Sequence, residues 1–201
     1  MTPRSMSAYN SSVSGGLVHF LTSMNLPNSL TILRILLIPF FVGFLIYAHY
    51  GWALLALVVA GITDILDGVI ARVANQRTKL GAYLDPLADK LLLTSAFVTL
   101  AMLHIVPIWV AIVILSRDLI IVAGTLLLHV VATPIEVIPT TMGKGATLAQ
   151  LVYLTSVLVL TYRQQDLGFL IPLLTLTLAL TIGSGLHYVY RGIRAYNPHL
   201  V

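Results

Sequence analysis

The chain has 201 residues and a formal net charge of +4; 58% of its residues are hydrophobic and only 9% are charged. Soluble domains carry about 25% charged residues, so the deficit selects lipid as the solvent. The absence of cysteine excludes disulfide and thiolate chemistry, and cations scattered without a Lys/Arg run or interleaved aromatics argue against nucleic acid and for contact with anionic lipid.

Residues 1–15 are polar and Ser-rich, and "GLVHFLTSM" after them is a short amphipathic segment expected to lie on the membrane surface. No small-residue cleavage site follows a short apolar core, so no secretory leader is expected. Long neutral runs come next: residues 35–63, 91–116, 119–135, 145–162 and 167–190 contain no Asp, Glu, Lys or Arg. A membrane helix takes about 20 apolar residues. "YAHYGW" at 47–52 and "HIVP" at 104–107 supply turns inside the long stretches. Six spans are therefore predicted, near 29–48, 52–73, 83–103, 107–128, 145–162 and 169–190. The expected fold class is an all-α integral membrane protein. One domain covers 1–201, and residues 1–24 form a polar juxtamembrane segment.

Orientation follows from the loop cations. With the N-terminus cytoplasmic, one side holds Arg4, Arg72, Arg77, Lys79, Lys144, Arg191 and Arg194, and the other holds Arg163. The positive-inside bias then puts both termini and the 73–82 loop in the cytoplasm, as in a multi-pass protein of an inner cell membrane. Trp52 and Trp109 suit an aromatic belt, and Pro39 and Pro172 read as helix kinks or packing features. His104, His129 and His187 have no ligand spacing and read as interfacial or packing residues.

Charge concentrates in "TDILDGVIARVANQRTKLGAYLDPLADK", residues 63–90. Asp64 and Asp67, three apart, share one helix face, as do Asp85 and Asp89, four apart. Gly68 and Ala71 continue the first face with almost no side chain, leaving room for a ligand or a backbone. One Asp at the centre of a membrane helix costs about 2.5–3.5 kcal/mol on insertion scales, and four together repel one another. One reading pairs these carboxylates with Arg72, Lys79 and Lys90 as buried salt bridges. The other places a hard divalent cation between the helices. Ca²⁺ satisfies the same oxygen donors, but rigid helices and a phosphate substrate suit the smaller Mg²⁺, or Mn²⁺.

The eight positions Asp64, Asp67, Gly68, Ala71, Arg72, Gly81, Asp85 and Asp89 form the pattern D-x2-D-G-x2-A-R-x8-G-x3-D-x3-D. It resembles the signature of the CDP-alcohol phosphotransferase family at every fixed position, and the length and six-span layout over about 25–195 are similar too. The resemblance implies a six-helix membrane enzyme, usually a homodimer, that moves a phosphatidyl-type group from a CDP-linked lipid to an alcohol and releases CMP. It implies that Asp64, Asp67 and Asp85 ligate the metal, and that Asp89 is the general base and also approaches a second metal. Gly68 and Ala71 would admit the cytidine nucleotide beside Arg72, and Gly81 would let the third helix approach the second. "NLPNSLTILR", 25–34, resembles the start of the glycerophosphate-using members, which makes Asn28, Thr31 and Arg34 candidate donor contacts.

The residues fit that chemistry unaided. Cleaving a pyrophosphate needs a cation at the leaving group and a base at the attacking hydroxyl. An anionic acceptor needs cations of its own, and the candidates are Arg117, Lys144, Arg191 and Arg194. Arg117-Asp118 reads either as an internal pair or as an acceptor site. Lys144, flanked by glycines in "MGKGATLAQ", opens the fifth span and otherwise needs only its positive-inside role. The expected reaction is phosphatidyl transfer from CDP-diacylglycerol to glycerol 3-phosphate. Phosphatidylglycerol is the alternative acceptor, which would make the product cardiolipin; "SRDLIIVAG" at 116–124 has that flavour. Outside the family stand an Asp-rich intramembrane prenyltransferase and a small cation transporter. Prenyltransferases lack the G-x2-A-R continuation, and a transporter would not gather its carboxylates at one end beside cations.

Overall fold

The computed structural model describes the backbone of residues 26–73, 79–131 and 141–196, and the side chains of 32–64, 66, 88–124 and 141–192 within them. The amphipathic segment expected at 16–24 lies outside the described residues. Six α-helices follow one another: α1 Leu26–Ile46, α2 Tyr50–Val73, α3 Lys79–Met102, α4 Ile108–Val131, α5 Thr141–Tyr162 and α6 Ile171–Tyr196. A short 3₁₀ turn, Leu167–Leu170, precedes α6. No strand occurs among the described residues. Each predicted span coincides with one helix, and most ends agree within a few residues.

The turns after α1, α3 and α5 share one construction. Ala48, His104 and Gln164 adopt positive φ of 57°, 58° and 54°. In each turn that residue's N–H reaches back three residues and the next N–H reaches back five. Ala48 N donates to Leu45 O at 3.1 Å and His49 N to Phe44 O at 2.8 Å; the same pair recurs at His104/Ile105 and Gln164/Gln165. This is the Schellman closure, which satisfies the last carbonyls of a helix. It is made here without glycine, at a left-handed cost of about 1–2 kcal/mol per residue. "YAHYGW" and "HIVP" are thus turns, as the sequence suggests. Pro172 differs from expectation. It sits in the first turn of α6, where a missing N–H costs nothing, so it does not kink that helix.

The chain forms two compact units. One comprises Met1–Pro39 with Val58–Leu91, the other Phe40–Leu57 with Leu92–Val201. Along α1 the boundary falls directly after Pro39, where the proline ring removes an i→i−4 hydrogen bond. In the second unit Phe97 stacks on Tyr153 with centroids 6.3 Å apart. Gln150 Nε2 donates to Thr181 Oγ1 at 3.0 Å, and Thr177 Oγ1 to Ala149 O at 3.3 Å, which ties α5 to α6. A Cβ on Gly124 would meet the Tyr188 ring at 3.0 Å, so α4 and α6 pack closely there.

Polarity is distributed as lipid requires. Leu36, Phe40, Trp52, Trp109, Leu119 and Leu186 are exposed, while Arg34, Arg117, Gln150, Thr177, Thr181 and Ser184 are buried. Where the solvent is hydrocarbon, apolar side chains gain nothing by leaving it and polar ones seek each other. By length and composition alone, two segments among the described residues qualify as membrane spans. They are Thr141–Tyr162 at mean hydropathy 1.4 and Leu167–Gly192 at 1.9. Ile32–Ile46 and Tyr50–Asp64 are shorter apolar helical segments.

Candidate active site

The first unit holds a charged centre that three helices build. Arg34 of α1 is wholly enclosed, and its Nη1 lies 3.0 Å from Asp64 Oδ1 of α2 and 2.7 Å from Asp89 Oδ1 of α3. The shorter contact is a charge-assisted hydrogen bond donated by the guanidinium. The carboxylates do not share its burial: the Asp64 and Asp89 side chains keep 45% and 44% of their surface. A buried guanidinium stays protonated and needs anionic partners to be tolerated. Two half-exposed carboxylates have no such need of it. The two carboxylates are the open members of the centre, and the guanidinium is its closed one.

Arg34, named in the sequence as a candidate donor contact, is thus a cation at Asp64 and Asp89, 55 residues from the latter. The side chains of Arg72 and Lys79, the other cations considered for the aspartates, lie outside the described residues.

Asp67 and Asp85 lie on the same helices, three residues after Asp64 and four before Asp89. Their side chains lie outside the described residues, as do those of Asn28, Thr31, Gly68, Ala71, Arg72, Gly81 and Arg194. Among the described residues no three His, Cys, Asp or Glu side chains stand together as a metal cluster. Asp64 and Asp89 by themselves suit a hard cation. Both are oxygen donors on regular helices, they converge on a single positive nitrogen, and each is half open. That donor chemistry is the kind Mg²⁺ or Mn²⁺ takes.

The second unit holds a different arginine site. Arg117 of α4 is 7% exposed. Its Nη1 donates to Asp118 Oδ1 at 2.7 Å, and its Nη2 to Ser184 Oγ at 2.9 Å and to Gly143 O at 3.3 Å. Gly185 stands beside it, where a Cβ would meet Arg117 Cγ at 3.5 Å. The internal pair foreseen for Arg117-Asp118 is present. Lys144 is exposed in the first turn of α5, directly after Gly143, and Arg191 is exposed near the end of α6. Ser184 was not singled out in the sequence. The available signal was Gly-Ser-Gly at 183–185, small residues inside an apolar run.

A profile of CDP-alcohol phosphatidyltransferases matches residues 24–183. A Mycobacterium bovis protein provisionally named a cardiolipin synthase is 38% identical over 67% of this chain. The chain spans 65% of that relative's length. The Bacillus subtilis protein named CDP-diacylglycerol–glycerol-3-phosphate 3-phosphatidyltransferase is 35% identical over 82% of this chain and 93% of its own length. A Pseudomonas fluorescens protein of the same name is 43% identical over 50% of this chain and 54% of its own length.

Proposed function

Because the chain belongs to the CDP-alcohol phosphatidyltransferase family, we propose that it transfers the phosphatidyl group of CDP-diacylglycerol to glycerol 3-phosphate. The products are phosphatidylglycerophosphate and CMP. One observation supports the reaction class above the rest: Asp64 and Asp89, from two helices, converge half-exposed on one buried cation. The acceptor reading rests on the B. subtilis relative, which is matched along nearly its whole length. The M. bovis relative favours phosphatidylglycerol as acceptor, with cardiolipin as product. That is the second reading.

In the proposed reaction Asp89 accepts the proton of the acceptor hydroxyl. The hydroxyl oxygen bonds to the phosphorus that carries diacylglycerol, the pyrophosphate P–O bond breaks, and CMP leaves with the electron pair. Asp64, Asp67 and Asp85 would hold Mg²⁺ or Mn²⁺, which would neutralise the diphosphate and polarise the attacked phosphorus. Gly68, Ala71 and Arg72 are assigned to the nucleotide, Gly81 to the approach of α3 to α2, and Asn28 and Thr31 to the donor. Glycerol 3-phosphate brings nearly two negative charges toward carboxylates and a diphosphate, a repulsive approach without cations. Arg117, Lys144, Arg191 and Arg194 are assigned that role.

The working protein is taken as a homodimer with six crossings and cytoplasmic termini and active site. The cysteine-free chain makes orientation directly measurable. Gln76→Cys should react with a membrane-impermeant thiol reagent from the cytoplasmic side, and Gln165→Cys from the other. The reverse pattern would overturn the orientation. The reaction itself is tested by incubating purified protein with CDP-diacylglycerol and separate acceptors. CMP and phosphatidylglycerophosphate should appear with glycerol 3-phosphate. Cardiolipin from phosphatidylglycerol would select the second reading, and no CMP with any acceptor would reject both.

A further inference from the structure

We infer that Arg34 is a positioning residue: a buried clamp that holds a metal-ligating carboxylate, Asp64, and the base, Asp89, in fixed register from behind. The inference rests on the metal and base roles proposed above. Three observations carry it. A single nitrogen, Nη1, makes both contacts, so the positions of Asp64 Oδ1 and Asp89 Oδ1 are set relative to one another by one atom. Arg34 has no exposed side-chain surface, whereas its two partners keep nearly half of theirs. The three residues come from three helices of one compact unit.

The asymmetry of burial decides between clamp and ligand contact. Arg34 has no open surface of its own, and its Nη1 meets two carboxylates that are half open. A displaceable latch fits no better. Releasing the carboxylates would strand an enclosed guanidinium that cannot lose its proton, the costliest arrangement for a buried ion. Arg34 therefore keeps its partners when the site is loaded, and acts through them. Groups that orient metal ligands from outside the coordination shell typically change metal affinity or activity by about 10–100-fold when removed.

The test compares wild type with Arg34→Gln and Arg34→Lys in detergent, using Mn²⁺ alone as probe and paramagnetic resonance to count bound ion, alongside kcat and KM for CDP-diacylglycerol. Arg34→Gln should weaken Mn²⁺ binding by about 10-fold or more, lower kcat, and leave the donor KM within about threefold. Arg34→Lys should fall between, because its amine keeps the charge but ends about one bond length short of Nη1. Should Arg34→Gln fail to elute as a single folded species, Arg34→Lys decides alone by its weaker Mn²⁺ binding. Unchanged Mn²⁺ affinity in every variant that folds overturns the clamp. A raised donor KM at unchanged affinity overturns it too and makes Arg34 a donor contact. Wild type that binds no Mn²⁺ and releases no CMP would instead refute the proposed reaction, which keeps the two failures distinct.

Discussion

The two arginine centres use the same ion pair to opposite ends. Arg34 and Arg117 are both buried, and each donates Nη1 to an aspartate oxygen at 2.7 Å. At Arg117 the aspartate is the adjacent residue and is itself 15% exposed, and Nη2 donates to a hydroxyl and a carbonyl. One positive charge is closed off by one negative charge, and the group is neutral. At Arg34 the carboxylates come from two other helices and are three times as open. Its two carboxylates are half open to whatever approaches. A neutral, enclosed pair braces helices; a half-open pair of carboxylates attracts cations. The comparison teaches that burial of the partner, more than the bond length, separates a structural ion pair from a reactive one.

Chelation should give the largest effect. If the open centre works through a divalent ion, excess EDTA abolishes CMP release and added Mg²⁺ or Mn²⁺ restores it. Full turnover in metal-free buffer would remove the assignment at Asp64, Asp67 and Asp85. Next comes the exchange of each arginine's carboxylate partner. Asp89→Asn keeps the shape and removes the proton acceptor, so kcat should fall by about 10²–10⁴-fold while CDP-diacylglycerol still binds. Asp118→Asn should leave kcat within about tenfold and lower the melting temperature, because a buried charge loses its partner. Equal losses of kcat in the two variants would break the comparison.

A smaller effect is expected at Arg117 itself. Arg117→Ala should raise KM for glycerol 3-phosphate about tenfold, a loss of roughly 1.4 kcal/mol, with the donor KM little changed. If melting falls while both KM values hold, Arg117 is a brace alone, and the acceptor's cations are the exposed Lys144 and Arg191.

The helices were legible because they depend on local sequence. Charge-free runs, two turn segments and the i,i+3 and i,i+4 aspartate spacings are all visible within one window. The turns at 47–49 and 104–105 were placed without their mechanism, since Ala48 and His104 are not residues that announce a left-handed cap. The contact of Arg34 with Asp64 and Asp89 was not legible. Local spacing nominates Arg72, Lys79 and Lys90, and nothing in a window links Arg34 to Asp89 across 55 positions. The clue lay in cost: a lone arginine before 29 neutral residues must find an anion within the protein. Ser184 escaped for the related reason that a neutral partner of a buried arginine leaves no charge pattern.

The last and smallest effect probes a third kind of polar contact, one with no charge at all. Gln150 is 1% exposed and Thr181 is fully buried, and their side chains meet at 3.0 Å between α5 and α6. In hydrocarbon such a bond is expected to be strong, yet measured couplings between membrane helices average about 0.6 kcal/mol, because the separated helices also find partners. Thr181 Oγ1 has one already, donating to Thr177 O at 2.7 Å within its own helix. A double-mutant cycle over Gln150→Leu and Thr181→Val should therefore return a coupling of about 0.5–1 kcal/mol, and CMP release should be unchanged in each variant that folds. A coupling above about 2 kcal/mol would place this neutral seam alongside the charged centres as a determinant of the fold. A loss of kcat without loss of melting temperature would make this neutral pair part of the reacting machinery and end its reading as a structural seam.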